Sequence, residues 1–184
     1  NSYAIAKLVN GTVSYYPVEG KPEKADIQKH LKGEVVLGSY TLMSDSRVNH
    51  ICWDVDSVQL EKARNIALAI SEELGDIPHG IEYSGNKGYH IWVILDEPIP
   101  AARAKNYGIR LREAVGAPTT GDPHVEVFPK QELLTSSSPM GNLVKLPLGL
   151  HPKTGNRSMF VDCRNGWESG PEVTPSSVLS KKVS

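Results

Sequence analysis

Cysteine is nearly absent: the 184 residues hold two, Cys52 and Cys163. Paired cysteines at short spacing are therefore missing, which excludes a zinc knuckle built on them and a disulfide scaffold. Two thiols so far apart in sequence lead to the expectation of free cysteines and a cytoplasmic setting. An excess of one charge is missing too. Lysine and arginine number 20 against 21 acids, a net charge of −1, so nucleic acid would have to be met by a local basic stripe. No apolar run reaches membrane-spanning length, so no membrane partner is expected. There is no Walker sequence, no His-x-x-x-His pair and no Ser/His/Asp set. His30, His50, His79, His124 and His151 are scattered, and no internal repeat is evident.

The material that is present suits one ordinary globular core, because 39% of residues are hydrophobic and only 22% charged. One domain is expected over 1–165, followed by a linker or tail over 166–184. That end, Ser169-Gly170-Pro171-Glu172-Val173-Thr174-Pro175-Ser176-Ser177, is rich in proline and serine. Together with a first residue that is Asn1 rather than Met, it leads to the expectation of a piece fused to further domains.

Strands and helices alternate. Glu34 to Met43 reads as extended. Ile51, Trp53 and Val55 alternate with Cys52, Asp54 and Asp56, a period of two that places both aspartates on one strand face. A helix follows with Leu60, Ala63, Ile66, Ala67, Ile70 and Leu74 as its buried stripe and Gly75 as its stop. Gly80 to Leu95 reads as a hairpin about the Gly85–Gly88 turn. A second helix over about 101–115 is expected to bury Ala104, Tyr107, Leu111 and Ala114. Short strands are expected at His124–Phe128, Leu143–Leu146 and Arg157–Val161.

The chemistry concentrates in a few of these elements. Ser84-Gly85-Asn86-Lys87-Gly88-Tyr89-His90-Ile91-Trp92 is a glycine-rich turn running into an apolar strand; it offers backbone N–H groups, a lysine and a histidine to a phosphate chain. Asp54 and Asp56, with Glu126 on another strand, offer oxygen ligands to a divalent cation. Each residue has a plainer role available. Asp56 could cap the following helix, although Ser57 would serve as well. Glu126 could face solvent, His90 could be a core histidine, and Lys87 could be an ordinary turn lysine. Asp54, flanked by Trp53 and Val55, has no such role, because an acid inside an apolar strand is costly unless paired or metal-bound. Asp122 lies in Gly121-Asp122-Pro123, where it would cap its own turn. Lys145 is a charge among apolar neighbours, with a phosphate or an acid such as Glu126 as its partner.

The order Asp-x-Asp, then Ser-Gly-x-Lys-Gly-x-His, then an apolar strand with one acid resembles the catalytic core of archaeo-eukaryotic primases. Their members include primase-polymerases and the polymerase domain of bacterial end-joining ligases. Val125-Glu126-Val127-Phe128-Pro129-Lys130-Gln131 and Asn142-Leu143-Val144-Lys145-Leu146-Pro147-Leu148-Gly149-Leu150-His151 resemble the branch in prokaryotic conflict systems, the TOTE and CRISPR-associated primase-polymerases. The resemblance spans about positions 50 to 162. It implies an α+β primase-polymerase core, with an N-terminal αβ unit packed on an RRM-like sheet and the active site in the cleft between. It also implies template-directed nucleotidyl transfer with two Mg²⁺ or Mn²⁺ ions on Asp54, Asp56 and Glu126. The triphosphate of a dNTP or NTP would lie on Ser84, Gly85, Lys87, Gly88, His90 and Lys145. Ser84 matches the ligase-type turn, whereas in relatives with Ser-x-His the serine position falls on Gly88. Three acids brought together without metal would repel, so at least one is expected to bind protons more readily. Lys130, Lys153, Arg157 and Arg164 are the candidates for meeting a single-stranded or primed DNA template. The alternatives are a catalytically silent nucleotide- or nucleic-acid-binding module and a metal-dependent nuclease, which has no need of the glycine-lysine turn.

Overall fold

Alternation of Ile51, Trp53 and Val55 with Cys52, Asp54 and Asp56 builds an interior strand of the larger sheet, apolar on one face and acidic on the other. The computed structural model describes residues 2–10 and 12–163. Its elements are β1 (Ser2–Val9), β2 (Thr12–Glu19), α1 (Lys24–Lys32), β3 (Val36–Tyr40), β4 (Arg47–Asp56), α2 (Leu60–Leu74), β5 (Gly80–Tyr83), β6 (Gly88–Pro100), α3 (Ala101–Ala114), β7 (His124–Phe128), β8 (Leu143–Lys145) and β9 (Met159–Val161). The expected tail and Arg164 lie outside the described residues.

Two antiparallel sheets result, one ordered β2-β1-β3-β8 and the other β7-β4-β6-β5-β9. The run β4-α2-β5-β6-α3-β7 has the β-α-β-β-α-β connectivity of RRM-like domains, and β9 extends its sheet beyond β5. The first sheet with α1 forms the N-terminal αβ unit. The expected α+β architecture is therefore present. The N-terminal hairpin and α1 had no counterpart among the expected elements.

Helices α2 and α3 cover one face of the five-stranded sheet. Ala63, Ala67, Ile70 and Leu74 of α2 and Ala101, Ala104 and Leu111 of α3 pack on Ile51, Trp53, Val55, Ile91 and Val127. Each large apolar side chain fully buried this way contributes about 1.5–3 kcal/mol. The helix stripes differ from expectation at three positions. Leu60 and Tyr107 are each 37% exposed, and Ala114 is exposed. Gly108 takes the place of Tyr107 on the buried line because its carbonyl accepts Trp53 Nε1–H at 2.9 Å. A Cβ there would lie 2.4 Å from Val127 Cγ1, so the close approach requires glycine.

The cap assignments also change. The N-cap of α2 is Gln59, and Ser57 Oγ accepts the Gln59 N–H at 3.1 Å. Asp122 does not cap its own turn; its Oδ1 accepts the Val58 N–H at 2.9 Å and holds the entry to α2. That frees Asp56 from any capping duty.

The opposite face of the five-stranded sheet meets β8. Cys52, Trp92, Phe128, Val144 and Phe160 form a second buried apolar cluster there, drawn from both sheets. His30 ties α1 to the first sheet, accepting the Leu37 N–H at 3.1 Å on Nδ1 while Nε2 contacts the Pro147 carbonyl at 2.9 Å.

Candidate active site

Strand register arranges the polar residues in rows on the face turned away from the helices. Asp54 lies directly opposite His90 of β6 and Glu126 of β7, and Glu82 of β5 lies opposite His90. The next row sets Asp56 opposite Gly88 and His124. The acids and the turn thus converge because β4 sits between β6 and β7 in the sheet.

The turn is held in place at several points. Ser84 N–H donates to Gly88 O at 3.0 Å, and Ser57 N–H donates to Lys87 O at 3.0 Å, pinning the turn to the end of β4. A Cβ on Gly88 would lie 1.9 Å from the Val55 carbonyl oxygen, so only glycine lets the strands close here. Gly85 has φ +89°, and a Cβ on it would meet Asn156 O and the Cβ of His151, each at 2.9 Å. The loop through His151 and Asn156 therefore seats on the turn, and Thr154 Oγ1 donates to Gly85 O at 2.8 Å.

Each expected metal ligand has a cation beside it. His90 Nε2 is 3.4 Å from Asp54 Oδ1, Lys87 Nζ is 3.0 Å from Asp56 Oδ2, and Lys130 Nζ is 2.7 Å from Glu126 Oε2. Among the described residues no group of three or more His, Cys, Asp or Glu stands ready to hold a metal ion. The donor set is nonetheless the hard-oxygen kind that Mg²⁺ and Mn²⁺ prefer. Lys87 and Lys130 have half-exposed side chains, so they have room to release Asp56 and Glu126.

Electrostatics follow from those pairings. Burial alone would raise the Asp54 carboxyl, but the hydrogen bond and charge of His90 hold it below the usual range. The expected rise from acid-acid repulsion is thus not found at Asp54, because its nearest charged neighbour is a cation. Burial would lower His90, yet Asp54 and Glu82 together raise it to about 10, so the ring is an imidazolium at neutral pH.

Asp54, Asp56, Ser84, Lys87, His90, Lys145, His151 and Lys153 line a single cleft of about 330 Å³ between the sheets, with Val13 and Tyr15 of β2 on its other wall. An archaeo-eukaryotic primase domain of TOTE conflict systems matches residues 15–173. The chain belongs to this family. No curated protein matches it. Among solved structures, the polymerase domain of Mycobacterium tuberculosis ligase D in complex with DNA is similar at a TM-score of 0.47 and 20% identity, over 82% of this chain and 59% of that one. This primase domain therefore spans less than two thirds of that structure's length.

Other expected residues are placed differently. Lys145 pairs with Glu82 at 3.4 Å rather than with Glu126. Arg157 donates through Nη1 to Leu31 O at 2.8 Å and Leu148 O at 2.7 Å, bridging α1 and the segment after β8. Lys130 lies over the Phe128 ring, 4.8 Å from its centroid.

Glu82 is the residue that sequence reasoning missed. Its signal was the one used for Asp54, an acid between apolar neighbours, Ile81 and Tyr83, in a short strand.

Proposed function

We propose that the cleft performs template-directed nucleotidyl transfer, as a DNA primase and polymerase acting on dNTPs or NTPs. The observation that carries this reading is the cross-strand row in which Asp54 faces both His90 and Glu126, beside a second row that brings Asp56 to the glycine turn. Carboxylates for a cation and cations for a phosphate chain then share one cleft.

In this reading Asp54, Asp56 and Glu126 would hold two Mg²⁺ or Mn²⁺ ions, which when bound would supply Lewis-acid activation of a hydroxyl and stabilisation of the leaving group. Lys87 and Lys130 give up their carboxylates for that purpose, and Lys87 turns to the incoming phosphates. His90 stays an imidazolium fixed between Asp54 and Glu82, so it offers charge without reorganising. Lys145 presents a second fixed cation, while Ser84, Gly85 and Gly88 let the backbone of the turn approach the triphosphate. Lys153, and Lys130 once released, are the candidates to follow the template backbone, with Arg157 and Arg164 as further candidates.

The deciding experiment incubates the protein with primed and unprimed single-stranded DNA, labelled dNTPs or NTPs, and Mg²⁺ or Mn²⁺. Labelled product that grows with template length is the expected result. Nucleotide binding without any product would leave a silent binding module, and template shortening would indicate a nuclease.

A further inference from the structure

Glu82 is the most deeply buried acid of the site, and in the proposed chemistry it meets neither metal nor nucleotide. Its side chain is 0% exposed. A carboxylate so placed persists only when its oxygens are saturated by donors. Glu82 Oε2 accepts from His90 Nδ1 at 3.0 Å and from Trp92 Nε1 at 3.0 Å, and Oε1 accepts from Lys145 Nζ at 3.4 Å. His90 and Trp92 belong to β6 of the five-stranded sheet, whereas Lys145 belongs to β8 of the other sheet. Lys145 also donates to Ser158 Oγ at 2.8 Å, and that hydroxyl donates onward to Gly149 O at 3.2 Å. The ring and the ammonium are both anchored from beneath, and both residues line the cleft.

We propose that Glu82 is a positioning residue whose single carboxylate holds His90 and Lys145 together across the two sheets, fixing where the phosphate groups of a nucleotide are received. This rests on the reading of the cleft as a triphosphate site. A metal-ligand role is excluded by geometry: three donors already occupy its two oxygens, and none of its surface is open.

The test has two arms. In the first, dATP with Mg²⁺ is titrated calorimetrically into the wild type, Glu82→Gln, Glu82→Asp, Lys145→Met and the Glu82→Gln/Lys145→Met double variant. Each single change is expected to weaken binding by about tenfold. The double variant is expected to stay within about threefold of the weaker single, whereas independent effects would multiply to about a hundredfold. In the second arm, NMR of the ¹⁵N-labelled, nucleotide-free protein follows the His90 Nδ1 resonance, while thermal melting records stability. Glu82→Asp keeps the charge and shortens the reach, so it serves if Glu82→Gln does not fold. A His90 resonance unmoved in the folded Glu82 variants overturns the positioning role, whatever the cleft binds. So does full dATP affinity in those variants while Lys145→Met loses it. Unchanged dATP affinity in Lys145→Met and Lys87→Ala, with the His90 resonance displaced by Glu82→Asp, would instead refute the triphosphate reading and leave the positioning intact.

Discussion

Asp54 has a protonated histidine on one side and Glu126 on the other, so its removal acts on both the proposed cation site and its neighbours. Asp54→Ala, Asp56→Ala and Glu126→Ala are each expected to abolish nucleotide incorporation in a primer-extension assay. Their effects on folding should differ. Asp56 and Glu126 are partly exposed and pair with half-exposed lysines, so their loss should change stability by at most about 0.5 kcal/mol. Asp54→Ala removes one partner of a buried imidazolium and should lower the denaturant midpoint. His50 gives a separate test by pH. Burial lowers it to about 4; its Nδ1 contacts Asn49 Oδ1 at 2.8 Å, and Nε2 is buried without a partner among the described residues. The folded state therefore resists a proton that the unfolded chain accepts near 6.5. Stability should fall by about 1.4 kcal/mol per unit as pH drops from about 6.5 towards 4, then level off in this contribution. Denaturant unfolding at pH 7 and pH 4.5 should show a smaller difference for His50→Gln than for the wild type.

Among the elements, β4, α2, α3 and β7 were legible because their side chains repeat with a clean period, and β6 because a continuous apolar run follows the glycine turn. The N-terminal hairpin was not. Strand β2 shows the burial order exposed, intermediate, intermediate, intermediate, exposed, exposed, intermediate, exposed, with Pro17 inside it, so its hydrophobic pattern has no regular alternation. Leu60 and Ala114 misled for a related reason: periodicity gives the direction of a stripe but not where the sheet beneath it ends, whereas Tyr107 gave up its place to Gly108, whose carbonyl meets Trp53. The acids and the turn were legible as motifs, whereas the Lys145–Glu82 pair depends on two sheets meeting, which no local pattern encodes. Two glycines make the element-scale predictions. Gly88→Ala would drive a Cβ into the Val55 carbonyl, a backbone atom with nowhere to go. It should destabilise the fold by about 1–3 kcal/mol or more and weaken nucleotide binding, as read by thermal melting and titration. Gly108→Ala meets side chains rather than backbone, and only Val127 stands closer than ordinary contact. It should also destabilise, but adding Val127→Ala should recover part of the loss, because the obstacle is then removed.

For the molecule as a whole, near-neutral charge means that any grip on a template has to come from few contacts. Lys130→Ala and Lys153→Ala should each reduce the slope of log affinity against log salt for single-stranded DNA by roughly 0.7, measured by anisotropy. Arg157→Ala should differ, lowering the melting temperature, because its guanidinium bridges the carbonyls of Leu31 and Leu148. That bridge joins residues 126 positions apart in the chain, and the Lys145–Glu82 bond joins residues 63 apart. Both contacts have a kinetic consequence. Closing such long loops costs entropy before any contact rewards it, so the cleft should be among the last regions to consolidate during refolding. Ligand-binding competence, followed in stopped-flow refolding with a fluorescent nucleotide, should then lag behind the recovery of secondary structure, with the helix-covered sheet already in place while the cleft is still open.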